Sequence, residues 1–291
     1  MFIKRDARKI PQILADTEDE RSRMLLSKRS HEFEGNLDLL CRESNVKQLK
    51  NLRVLNLYEN QLRSIDGIGI LGKTPLEDLN LGGNQLTTLP PDMGDLSNLK
   101  TLWLDDNHLG DFPIVLCSIK SLEELRMSGN QLHFIPQSIN ALSNLKTLAL
   151  DNNKIEDFPM GILELPHLEN LWLRQNLLRE LPDSLSELTV LQTLSVSSNQ
   201  LSSLPSSLHK IHTLKNIFAN ANGMTWVDKE LSDLPALEKL NLANNKLTSV
   251  PVAWHDKWGK YDEEKGKLTL EEGEQCAVVV TLKGNRLRTE V

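Results

Sequence analysis

The chain has 291 residues, of which 39% are hydrophobic and 25% charged, and its formal net charge at pH 7 is −7. No apolar run approaches the roughly 18 residues of a transmembrane helix, so we expect no membrane-spanning segment. Residues 51–251 hold eight more acidic than basic side chains, which argues against a nucleic-acid or anionic-lipid partner.

The cysteines and the N-terminus indicate a reducing compartment. Cys41, Cys117 and Cys276 are far apart and odd in number, and no Asn-x-Ser/Thr glycosylation acceptor occurs. The N-terminus has no apolar segment typical of a secretory signal. We therefore expect an intracellular, cytoplasmic protein.

Residues 1–51 do not follow the pattern of the rest of the chain. Thr17 and Glu20 form a Thr-x-x-Glu capping box, which predicts a helix from near Thr17 to about Glu34. A further helical turn is expected over Leu37–Cys41. This segment is interpreted as a cap that covers the open end of the core, and a partner-binding helix is the alternative.

From Leu52 the chain repeats, most clearly in the stretch LEDLNLGGNQL at 76–86. The first leucines lie 24 residues apart once and 23 residues apart thereafter, at Leu52, Leu76, Leu99, Leu122, Leu145, Leu168, Leu191, Leu214 and Leu237. An asparagine recurs in each unit, at Asn60, Asn84, Asn107, Asn130, Asn153, Asn176, Asn199, Asn222 and Asn245. We expect these side-chain amides to form a ladder of hydrogen bonds to the backbone.

The second half of most units begins with a hydrophobic residue and a proline, as in Leu89-Pro90. Proline ends an extended segment and turns the chain outward, and the next apolar pair, such as Met93 and Leu96, has the spacing of a short helical or 3₁₀ turn. Each unit is thus one strand inside and one tighter segment outside, and their unequal widths predict a curved stack with the strands on the concave face.

The pattern LxxLxLxxNxLxxLPxxhxxLxx resembles the intracellular leucine-rich repeats of the Ras-suppressor, Scribble and plant Ras-group families. The resemblance implies an α/β leucine-rich repeat solenoid with parallel strands on the concave face, short helical or 3₁₀ segments on the convex face, and a helical N-terminal cap. It divides the chain into a cap at 1–51, nine repeats at 52–251, and an insertion with a terminal repeat at 252–291. It also implies a protein-interaction module without catalytic residues.

The pattern breaks after Pro251 and resumes near the C-terminus. A displaced tenth repeat is predicted from Ala277, Val280, Leu282, Asn285 and Leu287. The runs KLTL and CAVVVTL are expected to pair as a hairpin against the last strand. Trp254 and Trp258 are interpreted as buried beneath this repeat, and ligand binding is the alternative.

Two motifs resemble catalytic or binding chemistry but lack its context. The GIGILG at 67–72 matches a dinucleotide-binding glycine pattern, yet it lies in the outer half of a repeat and not between a strand and a helix N-terminus. His209 and His212 have the spacing of two metal ligands on a helix, without a third ligand. We therefore expect no catalytic residue, cofactor or metal, and no enzymatic activity.

The concave face is the predicted binding surface. Alternation along each strand places bulky aromatic and guanidinium side chains at outward positions, where folding does not require them. The centre of the predicted protein-binding surface is Trp103, Arg126, Trp172 and Arg174, and around it lie Tyr58, Asp105, Asp151 and Phe218. Each tryptophan could instead lie flat on its neighbours and bind nothing.

The sequence therefore predicts a non-enzymatic, monomeric scaffold or adaptor that binds a protein through its concave face. One alternative is a constitutive structural subunit of a large assembly, held by its ends and convex side. Another is a regulatory subunit of a phosphatase or ligase.

Overall fold

The computed structural model describes residues 8–15, 20–269 and 278–287. The chain forms two compact units, Met1–Thr147 and Leu148–Val291. Both are built from one repeating element, a three-residue strand followed by a 3₁₀ segment, as the leucine and proline spacing predicts.

The first unit contains a parallel sheet in which neighbouring strands pair in chain order. Its strands are β1 (Arg23–Leu25), β2 (Val54–Asn56), β3 (Asp78–Asn80), β4 (Thr101–Trp103) and β5 (Glu124–Arg126). The 3₁₀ segments that follow β2 to β5 are Ile68–Lys73, Pro91–Asp95, Ile114–Ser118 and Gln137–Ala141. Successive 3₁₀ segments pack against one another, so the unit has a strand row and a 3₁₀ row with leucines between them.

The second unit continues the same architecture and ends in an antiparallel hairpin. After β6 (Thr147–Ala149), which contains the boundary between the units, come β7 (Asn170–Trp172), β8 (Thr193–Ser195), β9 (Asn216–Phe218), β10 (Lys239–Asn241), β11 (Lys260–Asp262), β12 (Lys267–Thr269) and β13 (Val279–Thr281). Beyond β6 the spatial order is β7–β8–β9–β10–β13–β12–β11. Its 3₁₀ segments are Met160–Glu164, Asp183–Glu187, Ser206–Lys210 and Lys229–Asp233.

The predicted asparagine ladder is present. The buried Asn84 Oδ1 accepts hydrogen bonds from the backbone N–H groups of Asn60 and Leu62, both at 3.0 Å. Its Nδ2 donates to the carbonyl oxygens of Leu57 at 3.1 Å and Leu81 at 2.7 Å. The same bonding from Nδ2 to two carbonyl oxygens recurs at Asn107, Asn130, Asn176, Asn199, Asn222, Asn245 and Asn285. One side chain thereby satisfies backbone groups of two successive repeats, and the Leu81 carbonyl oxygen accepts from both Asn84 and Asn107.

The predicted helix between Thr17 and Glu34 is wrong over the described residues, and Thr17 with the start of the capping box lies outside them. Residues 20–34 instead contain β1 and the short helix α2 (Ser30–Phe33). Met24 is buried, and Leu26 N–H donates to the Asn56 carbonyl oxygen at 2.8 Å. Pairing with β2 thus satisfies the sheet edge, and this long-range gain outweighs local helix propensity.

The other N-terminal helices are short. The helix α1 (Ile10–Leu14) precedes β1, and α3 (Glu43–Val46) precedes the first repeat. The turn expected over Leu37–Cys41 is confirmed, since Cys41 N–H donates to the Leu37 carbonyl oxygen at 3.0 Å.

The described part of the C-terminal segment agrees with the predicted terminal repeat, although Ala277 lies outside it. Strand β13 pairs parallel with β10 and antiparallel with β12. The helix α4 (Val252–Trp258) buries both Trp254 and Trp258, whose ring centroids are 4.9 Å apart. The interpretation of these tryptophans as core residues is therefore confirmed, and their exposed fractions of 0% and 4% leave no surface for a ligand.

The glycines of the GIGILG motif have a packing role. Gly69 and Gly72 lie in the 3₁₀ segment Ile68–Lys73, which Gly67 precedes, and a Cβ atom on either would collide with the carbonyl oxygen of Asp92 or Asp95. The missing side chains let this segment approach the next one closely, and the Gly69 N–H donates to the Asp92 carboxylate at 3.0 Å.

Candidate protein-interaction surface

The outward side chains of the strands form the surface that the sequence singles out. In each three-residue strand the middle residue enters the core and the first and third residues face outward. We call the resulting surface the strand face, and it comprises these outward residues and the next outward residue after each strand. The third residues of β2 to β5 align in register as Asn56, Asn80, Trp103 and Arg126.

Four side chains of the first unit form a connected chain of contacts around Trp103. The half-buried indole donates from Nε1 to the Glu124 carboxylate at 3.0 Å, and the Arg126 guanidinium lies 5.2 Å from the ring centroid. Arg126 Nε also donates to Asp105 Oδ2 at 3.0 Å, while Asp105 Oδ1 accepts from the Ser128 N–H at 2.8 Å. This cation–π pair and its ionic neighbours hold the indole in one orientation.

Trp103 stands between two hollows on the strand face. The first hollow, of about 300 Å³, is lined by Arg23, Leu25, Val54, Leu55, Asn56, Asp78, Leu79, Asn80, Thr101, Trp103 and Glu124. The second hollow, of about 460 Å³, is lined by Asn56, Tyr58, Asn80, Gly82, Trp103, Asp105, Asp106, Arg126 and Ser128. Because Trp103, Asn56 and Asn80 line both, the hollows adjoin and offer a groove across the strands.

Tyr58 forms one wall of the second hollow because small residues stand beside it. A Cβ atom on Gly82 would lie 3.3 Å from the Tyr58 ring, and one on Gly83 would lie 3.1 Å from it. Gly83 also has a φ of +66°, which favours glycine. The hydrogen bond to Glu59 and the charge of that carboxylate raise the pKa of Tyr58. Both effects favour the protonated, neutral form of the phenol.

The second unit carries the other four candidate residues. Trp172 and Phe218 are half-buried at the third positions of β7 and β9, and the buried Ser195 of β8 lies between them in register. The backbone N–H of the exposed Arg174 donates to Asp151 Oδ1 at 2.6 Å. Asp151 thus shapes the chain around Arg174 in the way that Asp105 holds the backbone at Ser128.

The structure brings part of the predicted set together within each unit, whereas Trp172 and Phe218 lie on either side of Ser195. Tyr58, Trp103, Asp105 and Arg126 line one hollow in the first unit, and Asp151 and Arg174 are in direct contact in the second. Both tryptophans occupy the predicted outward positions and are half-buried there.

Sequence reasoning missed the row of first strand residues, Asp78, Thr101 and Glu124, although the same alternation places them outward. It also missed exposed apolar side chains away from the strand face. Ile114, Phe134, Met160 and Trp226 are 67%, 66%, 50% and 52% exposed. Phe134 and Trp226 share the fourth position after the repeat asparagine, where other repeats carry polar residues such as Asp157 and Ser203. An aromatic residue at a position that is polar in other repeats is the sequence feature that could have identified these exposed side chains.

The described residues hold neither a metal-binding cluster nor a helix that could span a membrane. They contain no group of three or more His, Cys, Asp or Glu side chains able to hold a metal ion. His209 Nδ1 lies 2.6 Å from the Ser206 carbonyl oxygen, within its own 3₁₀ segment. No helix between 8 and 287, within the described ranges, has the length and apolarity needed to cross a bilayer.

Family comparisons agree with this architecture. The family model described as "Leucine rich repeat" matches residues 74–132 and 143–201. A two-copy leucine-rich repeat model matches 120–165, and a single-repeat model matches 236–256. The chain belongs to the leucine-rich repeat family.

Several solved structures are similar to this chain, whereas a search of curated protein sequences found no significant match. A TDR receptor is 32% identical over 71% of this chain and 37% of its own, with a TM-score of 0.63. The Arabidopsis receptor kinase HAESA, in complex with the peptide hormone IDA and the co-receptor SERK1, is 27% identical over 81% of this chain and 40% of its own, with a TM-score of 0.65. A leucine-rich repeat protein of Leptospira interrogans is 25% identical over 98% of this chain and 94% of its own, with a TM-score of 0.52. The chain thus spans well under half the length of the two receptors.

Proposed function

We propose that this chain is a non-enzymatic protein-interaction scaffold or adaptor that binds a protein partner through its strand face, which we expect to be concave. The observation that carries the proposal is the Trp103 groove. An indole held by Glu124 and Arg126 stands between two hollows on a surface whose side chains the fold leaves free to vary. Tryptophan, tyrosine and arginine dominate the binding energy of protein interfaces, and the same types recur at Trp172 and Arg174.

The comparisons support a ligand of protein or peptide nature. HAESA is seen with a peptide hormone and a co-receptor, and it shares the repeat architecture of this chain. We further propose an intracellular, cytoplasmic and monomeric protein, in which residues 1–51 and 252–291 cap the nine repeats at 52–251. The absence of glycosylation acceptors and the scattered cysteines support the location.

A crosslinking footprint of a purified complex tests the proposal. The full chain is used to purify its partners, and each stable complex is treated with a short crosslinker and mapped by mass spectrometry. Crosslinks and protection at the strand-face residues of the two units are expected. A footprint confined to 1–51 and 252–291, with the strand face unprotected, would contradict the proposal.

One observation favours a second candidate, a structural subunit held by its ends and outer side. The exposed Ile114, Phe134, Met160 and Trp226 lie away from the strand face. Trp226 also lines a hollow of about 710 Å³ with His209 and Pro251. The same footprint distinguishes the two functions, because an assembly subunit would be protected at these residues. A regulatory subunit of a phosphatase or ligase is a special case of the adaptor and would show the strand-face footprint.

A further inference from the structure

We infer that the strand face of the first unit contains a subsite for a lysine or arginine side chain of an extended partner segment, over Thr101 and between the carboxylates of Asp78 and Glu124. The inference rests on the proposed function, since it names the chemistry of the partner at the same face. The subsite lies in the first hollow. Of the candidate residues predicted from the sequence, only Trp103 lines that hollow.

The charged side chains that directly precede the first residue of each strand neutralise one another. Glu77 contacts Arg53 and lies 3.8 Å from the Lys100 ammonium, and Glu123 accepts from Lys146 at 2.7 Å. This row alternates in sign from repeat to repeat, so it presents little net charge to a partner. Its carboxylates are already compensated by the fold.

Asp78 is different, because no cation or hydrogen-bond donor of the described residues contacts its half-buried carboxylate. Its neighbours in register are Val54 and Thr101, which are uncharged. Glu124 lies on the far side of Thr101, and one of its oxygens is held by the Trp103 indole. With strands about 4.8 Å apart, the backbones at Asp78 and Glu124 are separated by roughly 10 Å. Thr101 therefore forms a polar floor between two carboxylates.

The aromatic wall adds a second attraction for a cation. The first hollow has a volume of about 300 Å³, and Trp103 lines it. Arg126, which contacts the indole, lines only the second hollow, so the ring retains a surface towards the first. A cation beside an indole gains free energy from the ring quadrupole. Arg23 also lines this hollow, two strands from Asp78 and four from Glu124. Its repulsion therefore directs a cation towards the Glu124 side of Thr101.

The floor of the groove favours an extended backbone. Asn56 Oδ1 accepts from the Tyr58 N–H at 3.0 Å, and Asn80 Oδ1 accepts from the Gly82 N–H at 2.9 Å. Each amide oxygen is thus occupied, while both Nδ2 groups belong to residues that line the groove. These donors suit the carbonyl oxygens of a peptide crossing the strands, and the surrounding carboxylates disfavour an anionic ligand.

The test uses the full chain and a library of random linear 12-residue peptides displayed on phage. Peptides are selected on the wild-type chain, on Asp78→Asn and on Glu77→Gln. Both substitutions remove one negative charge at adjacent positions, but Glu77 is already paired with Arg53 and Lys100. We expect enrichment of lysine or arginine at one peptide position on the wild type and on Glu77→Gln, and loss of that enrichment on Asp78→Asn.

The selected peptide is then synthesised with arginine and with citrulline, its neutral isostere, at the enriched position. Citrulline should weaken binding to the wild type and to Glu77→Gln by tenfold or more, and binding to Asp78→Asn by less than threefold. The subsite would be overturned if the arginine and citrulline peptides bound the wild type with equal affinity. It would also be overturned if citrulline weakened binding to Glu77→Gln and to Asp78→Asn by the same factor. Trp103→Ala separates this failure from that of the proposed function. Peptides unaffected by Trp103→Ala do not bind the groove at Trp103, which is the observation that carries the proposed function. Peptides lost with Trp103→Ala but indifferent to citrulline bind that groove without using the subsite. A selection that enriches no peptide at all would count against both.

Discussion

Asn84→Ala tests whether the asparagine ladder holds successive repeats together. The alanine removes the acceptor of two buried N–H groups, at Asn60 and Leu62, and the Asn84 donor to the Leu57 carbonyl oxygen. The Leu81 carbonyl oxygen also loses Asn84 but keeps the hydrogen bond from Asn107 Nδ2. Each buried backbone group left without a partner costs about 1–3 kcal/mol, and entry of a water molecule would recover part of that cost. We therefore expect the free energy of unfolding to fall by about 2–5 kcal/mol.

Hydrogen exchange gives the local measurement, and urea unfolding gives the global one. The amide protons of Asn60 and Leu62 should exchange faster in Asn84→Ala, because they lose the oxygen to which they donate. Asn98→Ala is the matched control, since Asn98 is exposed in the same repeat and should change neither quantity. If Asn84→Ala kept wild-type stability together with wild-type exchange at Asn60 and Leu62, the ladder would be dispensable and this reasoning refuted.

Three further predictions concern the core, the C-terminal segment and a thiol. Leu148 is fully buried, and Leu148→Ala should cost about 2–5 kcal/mol of unfolding free energy by leaving a cavity; an unfolding midpoint in urea equal to that of the wild type would contradict this. Deleting 252–291 removes the strand that pairs with β10, and the exposed strand edge should make the chain associate, as measured by size-exclusion chromatography. A truncated chain that stays monomeric with an unchanged melting temperature would show that this segment is an appendage. Burial, with added repulsion from Asp92 and Asp38, raises the pKa of the Cys41 thiol to about 12. At pH 8 Cys41 should therefore resist alkylation by iodoacetamide in the folded chain and react in urea, and mass spectrometry measures the alkylated fraction.

The repeat architecture could be predicted from the sequence because the local pattern and the tertiary packing agree. Leucines at a period of 23 residues specify both the buried middle residue of a strand, such as Leu102, and its register with Leu79. The asparagine ladder follows for the same reason, since each amide bonds to its own turn and to the neighbouring one. Local and global requirements coincide in these units, and such consistency makes a fold predictable.

The N-terminal strand could not be predicted in this way. Residues 23–25 have no repeat pattern around them, and their strand conformation comes from pairing with β2, about 30 residues later. Composition around Glu20 to Glu34 favoured a helix, and a single-sequence argument has no measure of the hydrogen bonds that a sheet edge offers.

The candidate site was predictable as a list of outward residues but not as a set of contacts. Alternation along the strands identified Trp103 and Arg126, while the cation–π pair between them depends on side-chain conformation. The difference between Asp78, which no cation of the described residues contacts, and the paired Glu77 became visible only in the structure, because the sequence shows two adjacent acids without distinguishing them.

Partner binding by a variant that lacks both strand-face tryptophans is the most direct test of the proposed function. Truncating a central tryptophan of an interface commonly costs about 2 kcal/mol or more, which is roughly a thirtyfold loss of affinity. The variant Trp103→Ala with Trp172→Ala should therefore keep the circular dichroism and melting behaviour of a folded chain and lose its partner. The matched control is Phe134→Ala with Trp226→Ala, which removes two exposed aromatic rings away from the strand face and should bind as the wild type does. Undiminished binding by the tryptophan variant, together with loss of the partner on substitution within 1–50 or 252–276, would contradict strand-face recognition and favour a structural subunit held by its ends.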